Sequence, residues 1–535
     1  MKRSILKNKY FLYLTEFFAG MSVMAVELGA SRLLAPYFSS SQIVWTIIIG
    51  TIMIAMALGN VWGGRSADKN PDPDRLYRRL LFAAVWIAFI PLVGTYVIAG
   101  ISVVLAVFIQ KQFLVWAAFA ACMALFVFPL LLLGTVTPSL AKYTMDNLED
   151  NGRTVGTLNA LNTIGSIIGT FTPTFLTIPA FGTSVTFLIF AGILLALGLV
   201  YFLSGTNKKK VLCGVSAGVF AVSCLAAPQV RLAFWQNGVL FEGESIYNYL
   251  QVRETDRSVI LSTNVMAGVQ SIKMKAGGLT GLYYDYALAA PLMTGADPAQ
   301  PLDLLILGMG TGTYASQCRT YFPQITAEGV EIDEKITGLA YDYFDLPDDI
   351  PVSTYDGRAF LAASDKQYDV IMVDAYQDIT IPFQMSSVEF FELVRGHLKE
   401  DGVLVVNMNM YSEENNSIND YLADTIASVF PHVWTADVPN TTNCELFAGL
   451  NPACADNLAR AAGGLQDRSL AEMMGKVSAA LTPYQPGGRL LTDDKAPVEM
   501  LGMKAIDEII GGELAYYRDI FEREGLGGLI QSMAA

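Results

Sequence analysis

The chain has 535 residues, 53% of them hydrophobic and only 16% charged, with a formal net charge of −15. Residues 1–230 carry 16 Lys and Arg against 8 Asp and Glu, whereas residues 231–535 carry 19 against 42. This asymmetry predicts two domains, one in a membrane and one soluble. The acidic second part argues against nucleic acid as a partner, because it would repel a phosphate backbone.

Residues 1–230 are predicted to form a polytopic α-helical membrane domain, with the lipid bilayer as its partner. About seven spans are expected, because seven apolar segments approach the roughly 20 residues needed to cross a bilayer. The stretch 156–169 (GTLNALNTIGSIIG) is rich in small residues and favours close helix packing. The seven segments are 11–34, 43–62, 80–108, 113–136, 158–181, 185–203 and 211–227.

The soluble part begins with a β-rich region, 231–300, in which 245–263 and 265–275 alternate polar and apolar residues as hairpin strands do. Strands and helices then alternate with short connections. This pattern predicts an α/β Rossmann-like domain of the methyltransferase type over 301–500, with a mostly parallel sheet. Residues 501–535 are predicted to be an amphipathic helical tail that packs on this domain or on a second copy in a homodimer.

Glycines and carboxylates stand at four consecutive predicted strand ends, where such sheets bind ligands. Gly308, Gly310 and Gly312 open a helix and allow close approach of a ligand to the backbone. Glu331 closes the second strand, where a carboxylate can accept hydrogen bonds from both ribose hydroxyls. Asp356–Gly357 closes the third strand, where an acidic side chain can accept a hydrogen bond from the exocyclic amine of adenine. Asp374 closes the fourth strand. The set predicts an adenosyl-binding site.

The run 242–410, with its VEID and DGRAF motifs, resembles the spermidine synthases, the polyamine aminopropyltransferases. The whole chain looks like their membrane-fused relatives, through segments such as VELGASRLLAPYF and LTDDKAPVEML. The resemblance implies decarboxylated S-adenosylmethionine, or S-adenosylmethionine itself, as co-substrate, and a polyamine as acceptor. It implies that Asp374 receives the amine proton and that methylthioadenosine is released. No metal is expected, because His397 and His432 are the only histidines.

Departures from the family pattern lie at the reacting end of the substrates. Thr311 stands where the glycine loop usually carries an Asp, and Tyr284–Asp285 where a Tyr-His pair is usual. Asn248, after Tyr247, stands where the family's Tyr-Gln motif has a Gln. Asp378 and Pro382 each lie one position later in the sequence than the corresponding Asp and Pro of the family pattern. Two further roles stay open: Gln270 lines the donor pocket or is a buried structural amide, and Tyr247 and Tyr284 pack the substrate's methylene chain or belong to the core.

Three functions therefore remain under consideration. The first is an aminopropyltransferase acting on a polyamine. The second is a lyase or cyclase that releases methylthioadenosine from S-adenosylmethionine without an acceptor, suggested by Thr311. The third is a polyamine transporter or sensor whose soluble half only binds a nucleoside.

The location is predicted to be the plasma (inner) membrane, with multiple passes. Basic clusters at 2–9, 65–79 and 208–210 place the amino terminus in the cytoplasm. Seven crossings would then leave the catalytic domain outside, whereas supply of the adenosyl donor favours the cytoplasm. A disulfide between Cys444 and Cys454 would indicate an oxidising compartment.

Overall fold

The computed structural model describes residues 9–109, 111–144, 151–204, 209–265, 268–297, 299–376, 381–410 and 416–534. The chain divides into two compact units. One contains Met1–Gln236 together with Leu514–Ala535, and the other contains Asn237–Glu513. The tail was expected to begin at residue 501 and to pack on the α/β domain or on a second copy; its segment 514–535 groups with the helical unit.

The first unit is helical. Its helices are α1 Lys9–Phe38, α2 Gln42–Lys69, α3 Pro73–Phe108, α4 Phe113–Gly134, α5 Val136–Thr144, α6 Asn151–Thr172, α7 Ile178–Leu203 and α8 Lys210–Ala226. Within the described residues, six helical stretches are long and apolar enough to cross a membrane. Each of the seven predicted segments falls in one of them, and two share the stretch Gly152–Leu203.

The stretch 152–203 is broken at Gly182, which has non-helical backbone angles (φ 81°, ψ 171°). Beside the break, the Thr186 hydroxyl donates to the Thr177 hydroxyl over 2.9 Å. Nine residues of unbroken helix would separate these residues by about 13 Å. The chain therefore bends back at Gly182, so this one helical stretch contains two helices, one for each of the two predicted segments.

Helices α1 and α6 approach each other backbone to backbone. A Cβ added at Gly165 would collide with the Phe17 carbonyl, and one at Gly169 with the Met21 carbonyl. Buried Glu16 also joins these helices, since its Oε1 accepts from Asn162 Nδ2 (2.9 Å) and from the Thr137 hydroxyl (2.5 Å). The small residues of 156–169 thus pack as predicted.

The second unit opens with a four-stranded antiparallel sheet in the order β1-β2-β3-β4, a larger structure than the predicted β-hairpin. Its strands are β1 Val239–Glu244, β2 Tyr249–Glu254, β3 Ser258–Ser262 and β4 Ser271–Met274. Two short helices follow, α9 Tyr283–Ala287 and α10 Ala289–Met293.

An eight-stranded sheet in the order β12-β10-β11-β9-β8-β5-β6-β7 forms the rest of this unit. The five strands from β9 to β7 are parallel, as predicted, whereas β11, β10 and β12 add on antiparallel. The strands are β5 Leu302–Leu307, β6 Ile325–Glu331, β7 Val352–Thr354, β8 Tyr368–Val373, β9 Leu398–Met408, β10 His432–Asp437, β11 Cys444–Gly449 and β12 Thr482–Pro483.

Helices cover both faces of this sheet, so the central strands are apolar on both sides. On β5, Leu304 and Ile306 belong to one buried cluster, and Leu305 and Leu307 to another. The helices of this part of the chain are α11 Thr313–Tyr321, α12 Glu334–Phe344, α13 Gly357–Ala363, α14 Val388–Gly396, α15 Ile418–Val429, α16 Cys454–Ala462 and α17 Arg468–Ala480. A last helix, α18 Val498–Ala534, runs from this unit into the tail segment that groups with the helical unit. The α/β fold class is thus confirmed for this unit, and the tail is helical.

Candidate active site

The glycine loop between β5 and α11 requires its glycines. Gly308, Gly310 and Gly312 have φ angles of 86°, 55° and 82°, in the left-handed region that suits glycine. A Cβ at Gly308 would also collide with the Asp374 backbone carbonyl. The loop therefore lies directly against the end of β8, where Asp374 follows the strand.

Glu331, the last residue of β6, fixes this loop. Its Oε2 accepts from the Gly310 amide (2.9 Å), and its Oε1 accepts from the Asp333 amide (3.0 Å). Burial raises the pKa of Glu331 to about 7, while these backbone hydrogen bonds oppose the shift. A carboxylate held at a strand end beside a glycine loop has the position that ribose hydroxyls require.

Asn248 approaches the same strand end through Asp333. Its amide nitrogen donates to Asp333 Oδ2 (3.2 Å), which also accepts from the Ser245 hydroxyl (2.5 Å). Tyr247 is 41% exposed, and its amide donates to Ser245 Oγ. The structure thus brings Asn248 close to Glu331, while Tyr247 remains outside the core.

Asp356 and Gly357 lie at the end of β7 and start α13. The Asp356 carboxylate caps this helix by accepting from the Ala359 amide (2.8 Å). Pro382 immediately precedes a short turn of 3₁₀-helix, Phe383–Met385. Asp378, placed by the sequence in the acceptor pocket, lies outside the described residues.

Asp374 is held by two donors in a buried position. The Tyr283 hydroxyl donates to Oδ2 (2.5 Å), and Asn407 Nδ2 donates to Oδ1 (2.9 Å). Burial raises the pKa of Asp374 to about 7, against the lowering effect of both hydrogen bonds. Such a carboxylate can accept a proton near neutral pH, which suits a general base.

The neighbouring residues named from sequence have other partners. The Tyr284 hydroxyl donates to the Gln270 carbonyl (2.8 Å), so Gln270 contributes its backbone to this contact. The Asp285 carboxylate accepts from the Thr280 and Gly281 amides, the Thr280 hydroxyl and Gln317 Nε2. Asp285 thus organises the turn at 280–281 and joins it to Gln317 on α11.

Thr311 lies at a pocket of about 110 Å³ beside the glycine loop, which Thr313 and Gln317 also line. The Thr311 hydroxyl is buried and has no hydrogen-bond partner among the described residues. Its amide donates to Ser271 Oγ (3.1 Å). The loop thus offers a neutral side chain where the family pattern has a carboxylate.

Three residues near Asp374 were missed by sequence reasoning: Tyr283, Asn407 and Glu445. Asn407 stands near the end of β9, and its position could have been read from the same strand-end rule as Asp374. No sequence motif marks Tyr283 or Glu445, because the fold brings them to Asp374 from distant parts of the chain. Among the described residues, no three His, Cys, Asp or Glu side chains gather as metal ligands do.

Residues 287–445 match the spermine/spermidine synthase domain. A probable polyamine aminopropyl transferase from Bifidobacterium longum is 51% identical over 362 residues, which cover 63% of this chain and 78% of that protein. The chain belongs to the spermine/spermidine synthase family. The matched share exceeds the α/β unit alone, so the likeness to the Bifidobacterium protein extends into the helical unit.

More distant relatives cover smaller parts of the chain. A polyamine aminopropyltransferase from Vibrio vulnificus is 25% identical over 301 residues, covering 53% of this chain and 97% of that protein. Among solved structures, a probable spermidine synthase from Corynebacterium glutamicum is 20% identical. It covers 45% of this chain and 94% of that one, with a TM-score of 0.35.

Proposed function

We propose that the protein transfers an aminopropyl group from decarboxylated S-adenosylmethionine to a polyamine and releases methylthioadenosine. The observation that carries this proposal is Asp374, a buried carboxylate at the end of β8, against the glycine loop. Membership of the family supplies the reaction class. In this assignment Glu331 accepts from the ribose hydroxyls, and Asp356–Gly357 contacts the adenine.

The reaction is a displacement at the carbon next to the sulfonium. The lone pair of a neutral amine forms the new C–N bond, while the C–S electron pair leaves with sulfur as a neutral thioether. The amine must be aligned opposite the leaving sulfur, which is the role of a fixed site. Asp374 takes the proton that the nitrogen loses, and the Tyr283 and Asn407 donors hold its carboxylate in place.

The transferase and lyase hypotheses differ in the donor that the protein uses. Thr311 provides no negative charge for the donor's amine, and the pocket beside it is lined by Gln317 and Lys273 rather than by a carboxylate. Decarboxylated S-adenosylmethionine remains the proposed donor, because similar proteins are named as polyamine aminopropyltransferases.

Purified protein incubated with each sulfonium donor, with and without putrescine, tests the proposal. Product from the decarboxylated donor that depends strictly on putrescine supports it. Formation of methylthioadenosine from S-adenosylmethionine alone would show that the protein is a lyase and not a transferase. Binding of methylthioadenosine without turnover of any donor would instead favour a sensor or transporter.

We also propose that the helical unit anchors the enzyme in a membrane, with its active site facing the cytoplasm. The six apolar helical stretches support the anchor by length and composition. The cytoplasmic orientation follows from the donor, which is a charged nucleoside that does not cross a bilayer unaided.

A further inference from the structure

Glu445 is a buried carboxylate that nothing in the proposed mechanism uses. It lies on β11 with 0% of its surface exposed. Neither carboxylate oxygen has a hydrogen-bond partner in the described part of the chain. Buried polar groups in proteins are nearly always hydrogen-bonded, and a buried charge without a partner costs several kcal/mol. Glu445 is therefore expected either to bind a ligand or to be protonated.

The register of the sheet directs Glu445 toward the candidate base. Glu445 is the direct partner of Asn407 across the antiparallel pair of β11 and β9. Side chains of directly opposed residues share one face of a sheet, with Cβ atoms about 5 Å apart. Asn407 in turn donates to Asp374 Oδ1 over 2.9 Å. Glu445, Asn407 and Asp374 therefore follow one another across three adjacent strands.

A second unpartnered acceptor lies near the same end of β9. Asn409 follows Asn407 by two residues and lies one residue beyond the end of β9. Its side-chain oxygen is buried and also lacks a hydrogen-bond partner among the described residues. An ammonium group presents three N–H donors and no acceptor. The two Glu445 oxygens and this amide oxygen together match that number.

The charges of the site point to the same ligand. Asp374 and Glu445 repel each other, and burial together with this repulsion raises the pKa of Glu445. A bound diamine would reduce this repulsion. One of its amines is neutral when it attacks, while the other keeps a positive charge that can pair with a carboxylate. Among the described residues, no lysine or arginine forms a salt bridge with Glu445 or Asp374.

We propose that Glu445 binds the non-reacting ammonium group of a diamine or polyamine acceptor and so selects acceptors with a second positive charge. This inference rests on the proposed aminopropyl transfer, whose acceptor it specifies. Glu445 is then a specificity residue, and Asp374 alone accepts the proton from the attacking nitrogen.

The substitution Glu445→Gln tests this role with little change in shape. Putrescine and n-butylamine are compared as acceptors, because they share a four-carbon chain and differ in the second amine. We expect kcat/KM for putrescine to fall about 10- to 100-fold, the range for a lost hydrogen bond to a charged group. The value for n-butylamine and the Kd of methylthioadenosine should change less than about threefold.

The control is Glu328→Gln, on β6, whose carboxylate pairs with Lys366 over 2.6 Å at the surface. It should leave both acceptors unaffected. An equal loss for putrescine and n-butylamine in Glu445→Gln, or no loss for either, would overturn the proposal. Melting curves of the variants show whether each is folded. Glu445→Gln should be at least as stable as the original protein, since it removes a buried acid without a partner.

A direct binding measurement separates this inference from the proposed function. If the original protein turns over no amine, aminopropyl transfer fails, and calorimetry with putrescine still tests Glu445. In the presence of methylthioadenosine, putrescine should bind the original protein at least tenfold more tightly than it binds Glu445→Gln. Equal affinities would dismiss the role of Glu445 whatever the activity.

Discussion

At the scale of single residues, Asp374 shows how the fold holds a buried carboxylate whose pKa is raised to about 7. Two neutral donors, the Tyr283 hydroxyl and the Asn407 amide, fix its two oxygens without neutralising it. A lysine or arginine in their place would stabilise the charged form and weaken the base. The choice of neutral partners therefore keeps the carboxylate both oriented and basic.

Asp374→Asn should lower kcat by about 10²- to 10⁴-fold, the usual contribution of a general base. Its affinity for methylthioadenosine should stay within about twofold, since the nucleoside contacts are elsewhere. Product formation by chromatography and binding by calorimetry measure the two quantities. Retained activity per folded molecule would mean that Asp374 only completes the strand end.

The raised pKa of Asp374 also predicts how stability depends on pH. The folded protein keeps this proton up to about pH 7, whereas the unfolded chain releases it near the ordinary value of 3.8. Stability therefore falls as pH rises through that window. Asp374→Asn should remove this loss, so its melting temperature relative to the original protein should increase from pH 4 to pH 8. A constant difference over that range would contradict the raised pKa.

The positions of the acidic residues were predictable because each stands at, or just after, the end of a strand of the parallel sheet. Glu331, Asp356 and Asp374 needed only the rule that parallel strands end at one edge. The residues around them were not predictable in this way. Tyr283 precedes Asp374 by 91 positions, and Glu445 depends on the register between β11 and β9. A single sequence contains no local trace of that pairing.

At the scale of elements, prediction worked where strand and helix alternate and stopped where they do not. The alternation of strands and helices between 301 and 408 was anticipated, because short connections and apolar runs define it. Beyond 410, β10 and β11 join the sheet antiparallel. Their order in the sheet reverses their order in the chain, which the alternating pattern does not indicate.

The contact of α1 with α6 offers a test in the helical unit. Gly165→Ala should lower stability by about 1–3 kcal/mol, because its Cβ would collide with the Phe17 carbonyl and force the helices apart. Thermal unfolding in detergent measures this effect, with unfolding detected as loss of the monodisperse peak in size-exclusion chromatography.

The matched control is Gly156→Ala on the same helix, where a Cβ meets nothing within 4 Å. That substitution should leave stability unchanged or raise it by up to about 1 kcal/mol through helix propensity. Similar effects at both positions would show that the close approach of α1 and α6 is not what stabilises this unit.

At the scale of the whole molecule, the helical unit predicts behaviour in cells. If the helical unit is the proposed membrane anchor, the protein should stay in the membrane pellet after washes with alkaline carbonate or 1 M salt and leave it only in detergent. Protease added to intact cells should spare the α/β unit, whereas protease added to inverted vesicles should digest it. Release by salt would contradict the anchor, and digestion in intact cells would contradict the cytoplasmic orientation.

The cysteines cannot report that orientation. Cys444 begins β11, while Cys454 Sγ lies close to Gly449 at its other end. The strand between them spans about 17 Å, whereas a disulfide needs Cα atoms within about 7 Å. All six thiols are free. A bridge between these two cysteines, considered from the sequence, would require β11 to unfold in either compartment.

The chain enters the α/β unit at Asn237 and leaves it at Glu513, and residues on both sides belong to the helical unit. The α/β unit is thus inserted between two segments of the helical unit, rather than appended to one end of it. A cut after Glu513 would leave the α/β unit joined covalently to residues 1–236, whereas a cut after Gln236 would leave it joined covalently only to the tail 514–535. After that second cut, any hold of the helical unit on the α/β unit depends on the packing of one short tail segment.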